Sequence, residues 1–232
     1  MIIIPDIHGR TFWKEAMEKR REGEKVIFLG DYTDPYEHEK IDLDQVVDNL
    51  REIVETQKKD PTVILLLGNH DLTYILPQHR DFRCRFDYAH KEELRNLLGE
   101  GDFKLTEKIK IGDKTFIFSH AGIHPDWASK VFFNIPIPDI ADKANKLWEK
   151  RDPEFMKDLA WVSRERGGWC SEGSLVWSSL GEWLKFSRLD SELYQIFGHT
   201  QLQKDPYVTE YFADLDVRRG FRLGDEGKIE EL

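Results

Sequence analysis

Five short apolar runs punctuate the chain: Ile2–Ile4, Val26–Leu29, Val63–Leu67, Phe116–Phe118 and Ile196–Phe197. They are rich in β-branched and aromatic residues and mostly do not alternate with polar positions, which suits strands buried on both faces. Helical spacing fills the gaps in the first half. Phe12–Arg21 reads as a charged helix with Thr11 as N-cap. Behind Asp42, the stretch Leu43–Lys58 places Leu43, Val46, Val47, Leu50, Ile53 and Val54 on one helical face. The opening half is therefore strand, helix, strand, helix, strand, as in an α/β layer.

After Phe103 the period changes. Lys104–Ile111 and Thr115–Phe118 flank Gly112-Asp113 and predict a hairpin. A second hairpin-like group at Tyr207–Ala213, Phe221–Leu223 and Ile229 closes the chain. Between them, Gly122–Ser191 holds Trp127, Trp148, Trp161, Trp169, Trp177 and Trp183 and no long strand-like run. It reads as a Trp-rich insert of helices and loops, at about 122–191, within one domain spanning residues 1–232. Tryptophan at this density reads as core.

Composition narrows the class. With 34 basic against 44 acidic side chains the net charge is −10, which argues against non-specific binding to nucleic acid. No apolar run approaches the roughly 18 residues needed to span a bilayer, so no membrane role is expected. The N-terminus, Met1-Ile2-Ile3-Ile4-Pro5-Asp6, has no basic leader, and a cytoplasmic protein is the default expectation. Cys84 and Cys170 match no metal or disulfide spacing.

The chemistry lies in the residues just past the end of each predicted strand. Asp6 and His8 come after the first, Gly30-Asp31 and Asp34 after the second, Gly68-Asn69-His70-Asp71 after the third, Ser119-His120 after the fourth and Gly198-His199 after the fifth. Taken singly, each Asp reads as a turn residue and each His as a satisfied polar group. Five such endings together point to ligands gathered at the carboxyl ends of strands. The set holds Asp, Asn and His without thiolate, which suits Mn²⁺, Fe, Zn²⁺ or Mg²⁺. His38, His79, His90 and His124 lack this context.

The runs Asp6-Ile7-His8-Gly9, Gly30-Asp31-Tyr32-Thr33-Asp34, Gly68-Asn69-His70-Asp71, His120-Ala121-Gly122 and Gly198-His199 resemble the calcineurin-like metallophosphoesterase superfamily. The block Phe116–Pro125 is similar to the phosphoprotein phosphatase branch, which includes bacterial and phage Ser/Thr phosphatases and symmetrical diadenosine tetraphosphatases. The resemblance implies an α/β (α+β) fold of two mixed β-sheets packed as a sandwich flanked by helices, with two divalent metal ions. By it, Asp6 and His8 hold the first metal, Asp31 bridges, and Asn69, His120 and His199 hold the second. It further implies a metal-bridging hydroxide as nucleophile, with His70 as general acid and Asp34 fixing its tautomer.

Three departures mark this chain. Pro35-Tyr36 stands where the family's second motif continues with Arg-Gly, so the usual phosphate-clamping Arg is missing from its place. Gln201 stands where many members have a further His, as in the phosphoprotein phosphatase branch. The insert matches only loosely, through Leu175-Val176-Trp177-Ser178. Replacement clamps are Arg166 and Arg164, next to the Gly167-Gly168 pair that permits close backbone approach, or the group Arg80, Arg83 and Arg85. The expected activity is Ser/Thr protein phosphatase-like hydrolysis of a phosphomonoester, the partner being a phosphoprotein or a small phosphoester. Its rivals are a nucleotide hydrolase of the diadenosine tetraphosphatase type and a non-catalytic metal-binding domain.

Overall fold

The computed structural model of the chain describes residues 1–76, 84–133, 135–185 and 192–232. Its strands are β1 (Ile2–Ile4), β2 (Val26–Phe28), β3 (Val63–Leu66), β4 (Phe103–Lys104), β5 (Thr106–Ile111), β6 (Lys114–Ser119), β7 (Leu193–Phe197), β8 (Tyr207–Val208), β9 (Phe212–Asp214), β10 (Phe221–Leu223) and β11 (Ile229–Glu231). Helices are α1 (Phe12–Glu18), α2 (Leu43–Lys59), α3 (Asn69–Ile75), α4 (Lys91–Glu100), α5 (Pro125–Phe132), α6 (Ile137–Glu149), α7 (Pro153–Leu159) and α8 (Leu180–Lys185). The fold is mixed α/β with two mixed sheets. The chain forms two compact units, Met1–Phe103 with Arg218–Leu232, and Lys104–Val217.

The first unit is built on a sheet ordered β11-β10-β1-β2-β3-β4. β1, β2 and β3 run parallel in register, Ile4 opposite Phe28 and Phe28 opposite Leu65, so their carboxyl ends share one edge. β1 and β2 are buried throughout, as their unbroken apolar runs predict. α2 buries Val46, Val47, Leu50, Ile53 and Val54 and is capped by Asp42, whose side chain accepts from the Asp44 N–H at 2.9 Å. α1 stops at Glu18, and Thr11 makes no side-chain cap because its backbone (φ −111°, ψ 8°) lies outside the extended region that capping requires.

The second unit carries a sheet ordered β5-β6-β7-β9-β8. β5 and β6 form the expected antiparallel hairpin, while β6, β7 and β9 run parallel. Trp183, Phe197, Phe212 and Leu180 form a buried cluster in this unit. The closing group of strands divides rather than forming one hairpin-like unit. β8 and β9 join the second sheet, whereas β10 and β11 pair with each other on the edge of the first, where β10 lies antiparallel to β1. Trp127, Trp148, Trp177 and Trp183 are buried as expected of core residues, but Trp169 is 92% exposed. Among the described residues no helix is long and apolar enough to cross a membrane.

Candidate metal and phosphate site

In the first unit the parallel register delivers three loops to one edge of the sheet. The β1 loop is laced to the β2 loop by backbone bonds from His8 N–H to the Asp31 carbonyl (2.6 Å) and from Gly9 N–H to the Tyr32 carbonyl (3.1 Å). Buried Asn49 of α2 anchors the same loop, donating to the Arg10 carbonyl and accepting from the Trp13 indole. Asp71, fully buried, accepts from the N–H groups of Asp31, Tyr32 and Gly68 at 2.8 to 2.9 Å. It thereby ties the β2 loop to the start of α3.

Close approach explains the glycines here. A Cβ on Gly68 would lie 2.0 Å from Asp31 Oδ1, and one on Gly30, at φ +111°, would lie 2.5 Å from the Gly68 nitrogen. Gly68 itself has φ −98°, so its requirement is space and not a turn. His8, Asp31 and Asp34 hold φ of 45°, 53° and 57°, and His199 holds 71° in the second unit. Left-handed backbone in a non-glycine residue costs on the order of 1 to 3 kcal/mol and clusters at functional sites.

The side chains form a donor set suited to a cation. His8 Nδ1–H donates to the Thr33 carbonyl at 2.9 Å, which leaves a lone pair on Nε2 in the neutral ring. That Nε2 lies 3.4 Å from Asp31 Oδ2. Burial, then the charges of His70, Arg10 and Arg85, push His8 well below its ordinary pKa and keep it neutral. Burial, then the neighbouring Asp6 and Asp71 charges, push Asp31 well above the usual carboxylate range. Asp6, Asp31, Asp34 and Asp71 are all buried. An imidazole lone pair facing a carboxylate oxygen within a cluster of buried acids is relieved by a divalent cation, so the residues fit a metal. His8, Asp31 and His70 bring ligand atoms within 4.8 Å of one another.

His70 is oriented from behind. Its Nδ1–H donates to Asp34 Oδ2 at 2.7 Å, and its backbone N–H donates to Asp31 Oδ1 at 2.9 Å. Asp34 Oδ1 accepts from the Tyr74 hydroxyl, which in turn accepts from the Asp87 N–H at 2.8 Å. Burial and the Asp34 charge push the Tyr74 phenol up, so it stays a donor. Asn69 opens α3, and its Nδ2 donates to Cys84 Sγ at 3.5 Å, which makes Oδ1 its ligand-capable atom. The first-unit site residues read from the sequence thus lie on three neighbouring loops.

The second unit has its own donor pair. β6 and β7 are parallel with Phe118 opposite Ile196, so His120 and His199 emerge side by side. His120 Nε2 lies 3.0 Å from His199 Nδ1. Both residues are buried, and Trp177 stands edge-on to His199 at 5.9 Å. Arg166 Nη2 donates to Thr200 Oγ1 at 2.7 Å and to the His199 carbonyl at 3.3 Å. Arg164 is exposed on the same turn. Of the other residues set aside in the sequence, His124 caps α5 and His90 bonds Asp87. Arg80, Arg83 and His79 lie outside the described residues.

Sequence reasoning missed Tyr74 and Asp71 as site residues. Asp71 sits inside a motif already singled out. Tyr74 is four residues after His70, so both stand on one face of α3, a signal visible only once Asn69–Ile75 is read as a helix.

No curated protein sequence matches the chain. Among solved structures it is similar to a hypothetical protein from Pyrococcus horikoshii OT3, at 17% identity and a TM-score of 0.32. That match covers 54% of this chain and 55% of the other, so the chain spans about half the length of that relative. The family model for calcineurin-like phosphoesterases matches residues 1–202, from β1 through the His199 loop. With that match over nearly the whole sequence, the chain belongs to the calcineurin-like phosphoesterase family.

Proposed function

We propose that the protein is a phosphomonoesterase of the Ser/Thr protein phosphatase type, working with divalent metal, Mn²⁺ foremost. The observation that carries this reading is the buried Asp34–His70 pair beside His8 and Asp31. Asp6, His8 and Asp31 hold metal in the first unit, with Asn69 as a further ligand. His120 and His199 hold metal in the second. Bound divalent ions supply charge to polarise phosphoryl oxygens and lower the pKa of coordinated water.

The chain's own residues do the rest. Asp34 holds His70 with Nδ1 protonated, so that Nε2–H is the proton given to the departing oxygen. Tyr74 keeps Asp34 in the rotamer that does this. Arg166, already bonded to Thr200 and the His199 carbonyl, acts by fixing His199 and through its remaining donors on substrate. Arg164 is an outer contact.

One observation favours a second reading, hydrolysis of a nucleotide anhydride. Trp169 is 92% exposed on a turn closed by backbone bonds from Gly168 to Ser163 and from Cys170 to Val162, a fixed surface on which a base could stack. A panel of p-nitrophenyl phosphate, its diester, phosphopeptides and dinucleoside polyphosphates, assayed with Mn²⁺, separates the two. Highest kcat/KM on phosphomonoesters supports the phosphatase; highest on dinucleoside polyphosphates replaces it with the nucleotide hydrolase.

A further inference from the structure

We propose that Arg85 is a substrate-binding cation that makes the site prefer phosphomonoesters to diesters, an inference that rests on the hydrolase reading above. The second motif runs Asp34-Pro35-Tyr36 and carries no cation of its own. The guanidinium of Arg85 returns to that segment from about fifty residues downstream. Its Nε donates to the carbonyls of Asp34 (3.1 Å) and Pro35 (3.0 Å), and Nη2 donates to the Asp34 carbonyl at 2.7 Å. The guanidinium carbon stacks 3.9 Å from the Tyr36 ring centre, and that ring stands edge-on to His8 at 5.0 Å.

Asp34 therefore serves two neighbours. Its carboxylate orients His70, and its carbonyl seats Arg85. The seating occupies one edge of the guanidinium. Nη1 and the second hydrogen of Nη2 make no hydrogen bond among the described residues, and the side chain is half-buried. A planar fork fixed along one edge presents the other edge ready-made for two oxygens of a phosphate. A monoester dianion brings more charge and a spare oxygen to that fork. A diester brings a single charge, and its second substituent takes the oxygen the fork would hold.

The test uses full-length protein loaded with Mn²⁺, as wild type, R85Q, R85K and R85A. Gln keeps donors for the two carbonyls and loses the charge. The readouts are metal content, melting temperature, inhibition by inorganic phosphate, and kcat and KM on p-nitrophenyl phosphate and bis(p-nitrophenyl) phosphate. Loss of a bidentate charged contact is expected to raise the phosphate Ki and monoester KM roughly ten- to a hundred-fold in R85Q and R85A. Diester KM should change by less than about three-fold, with metal content as wild type, and R85K should recover only part of the loss. Should R85A fail to fold, R85Q decides. Active wild type with an R85Q Ki within about two-fold overturns the role of Arg85 alone, as does an equal fall in kcat on both esters with KM unmoved. Wild type that hydrolyses neither ester and binds no phosphate overturns the hydrolase reading and this proposal together.

Discussion

The proposed chemistry turns on a single residue, His70. Its Nδ1–H is committed to Asp34 at 2.7 Å, so its other nitrogen either gives a proton or ligates metal. The two roles separate in one variant. If His70 is the acid, His70→Asn keeps the metal and loses roughly 10² to 10⁴ in kcat on alkyl phosphates, whose leaving group needs a proton. The loss on p-nitrophenyl phosphate should be far smaller, because nitrophenolate departs unprotonated. Loss of metal from His70→Asn, measured by elemental analysis, would make it a ligand, its Asp34 partner then serving as the carboxylate behind a metal-bound histidine.

The start of α3 shows how an element positions these residues. Asp71 draws three N–H groups toward the helix N-terminus, and Gly68 leaves the space that Asp31 fills. Gly68→Ala puts a methyl 2.0 Å from Asp31 Oδ1, so Asp31 must move. The expected result is weakened metal binding by at least about ten-fold, in the range seen when residues supporting ligands are altered, together with a lower melting temperature. Unchanged metal affinity in a titration would show that Asp31 tolerates displacement. Strands β1 to β3 and the Asp, Asn and His residues at their ends are legible in the sequence because apolar runs and the residues just after them are local features. Tyr74 reaches Asp34 from 40 positions away and Arg85 from 51, and no local pattern marks such a pairing. The short β8–β9 and β10–β11 pairs look alike in sequence, and only long-range registers, Ile2 with Arg222 and Gln195 with Phe212, assign them to different sheets.

Across the molecule as a whole, buried acids couple folding to pH and, at the proposed site, would couple it to metal. Burial pushes Asp71 up to about 7 despite its three N–H donors, and holds Asp31 well above its usual range. In metal-free protein these carboxyls keep protons that the unfolded chain releases near pH ~4, so the Asp71 contribution to stability declines as pH rises from about 4 to about 7, and Asp31 acts in the same direction. His8, lowered by burial, works in the opposite sense below its ordinary range. At the proposed site a metal would need Asp31 ionised and His8 neutral, and a ligand that binds only the native state raises its stability. The gain in melting temperature on adding Mn²⁺ should therefore grow between about pH 5 and about pH 7.5. A gain independent of pH would place the metal away from these groups. Metal-dependent phosphoester hydrolysis itself is probed by turnover of p-nitrophenyl phosphate with EDTA-stripped protein whose residual metal is measured by elemental analysis. Activity is expected to vanish with the metal and to return on Mn²⁺ addition. Full turnover in a metal-free sample would contradict the metal's role in hydrolysis.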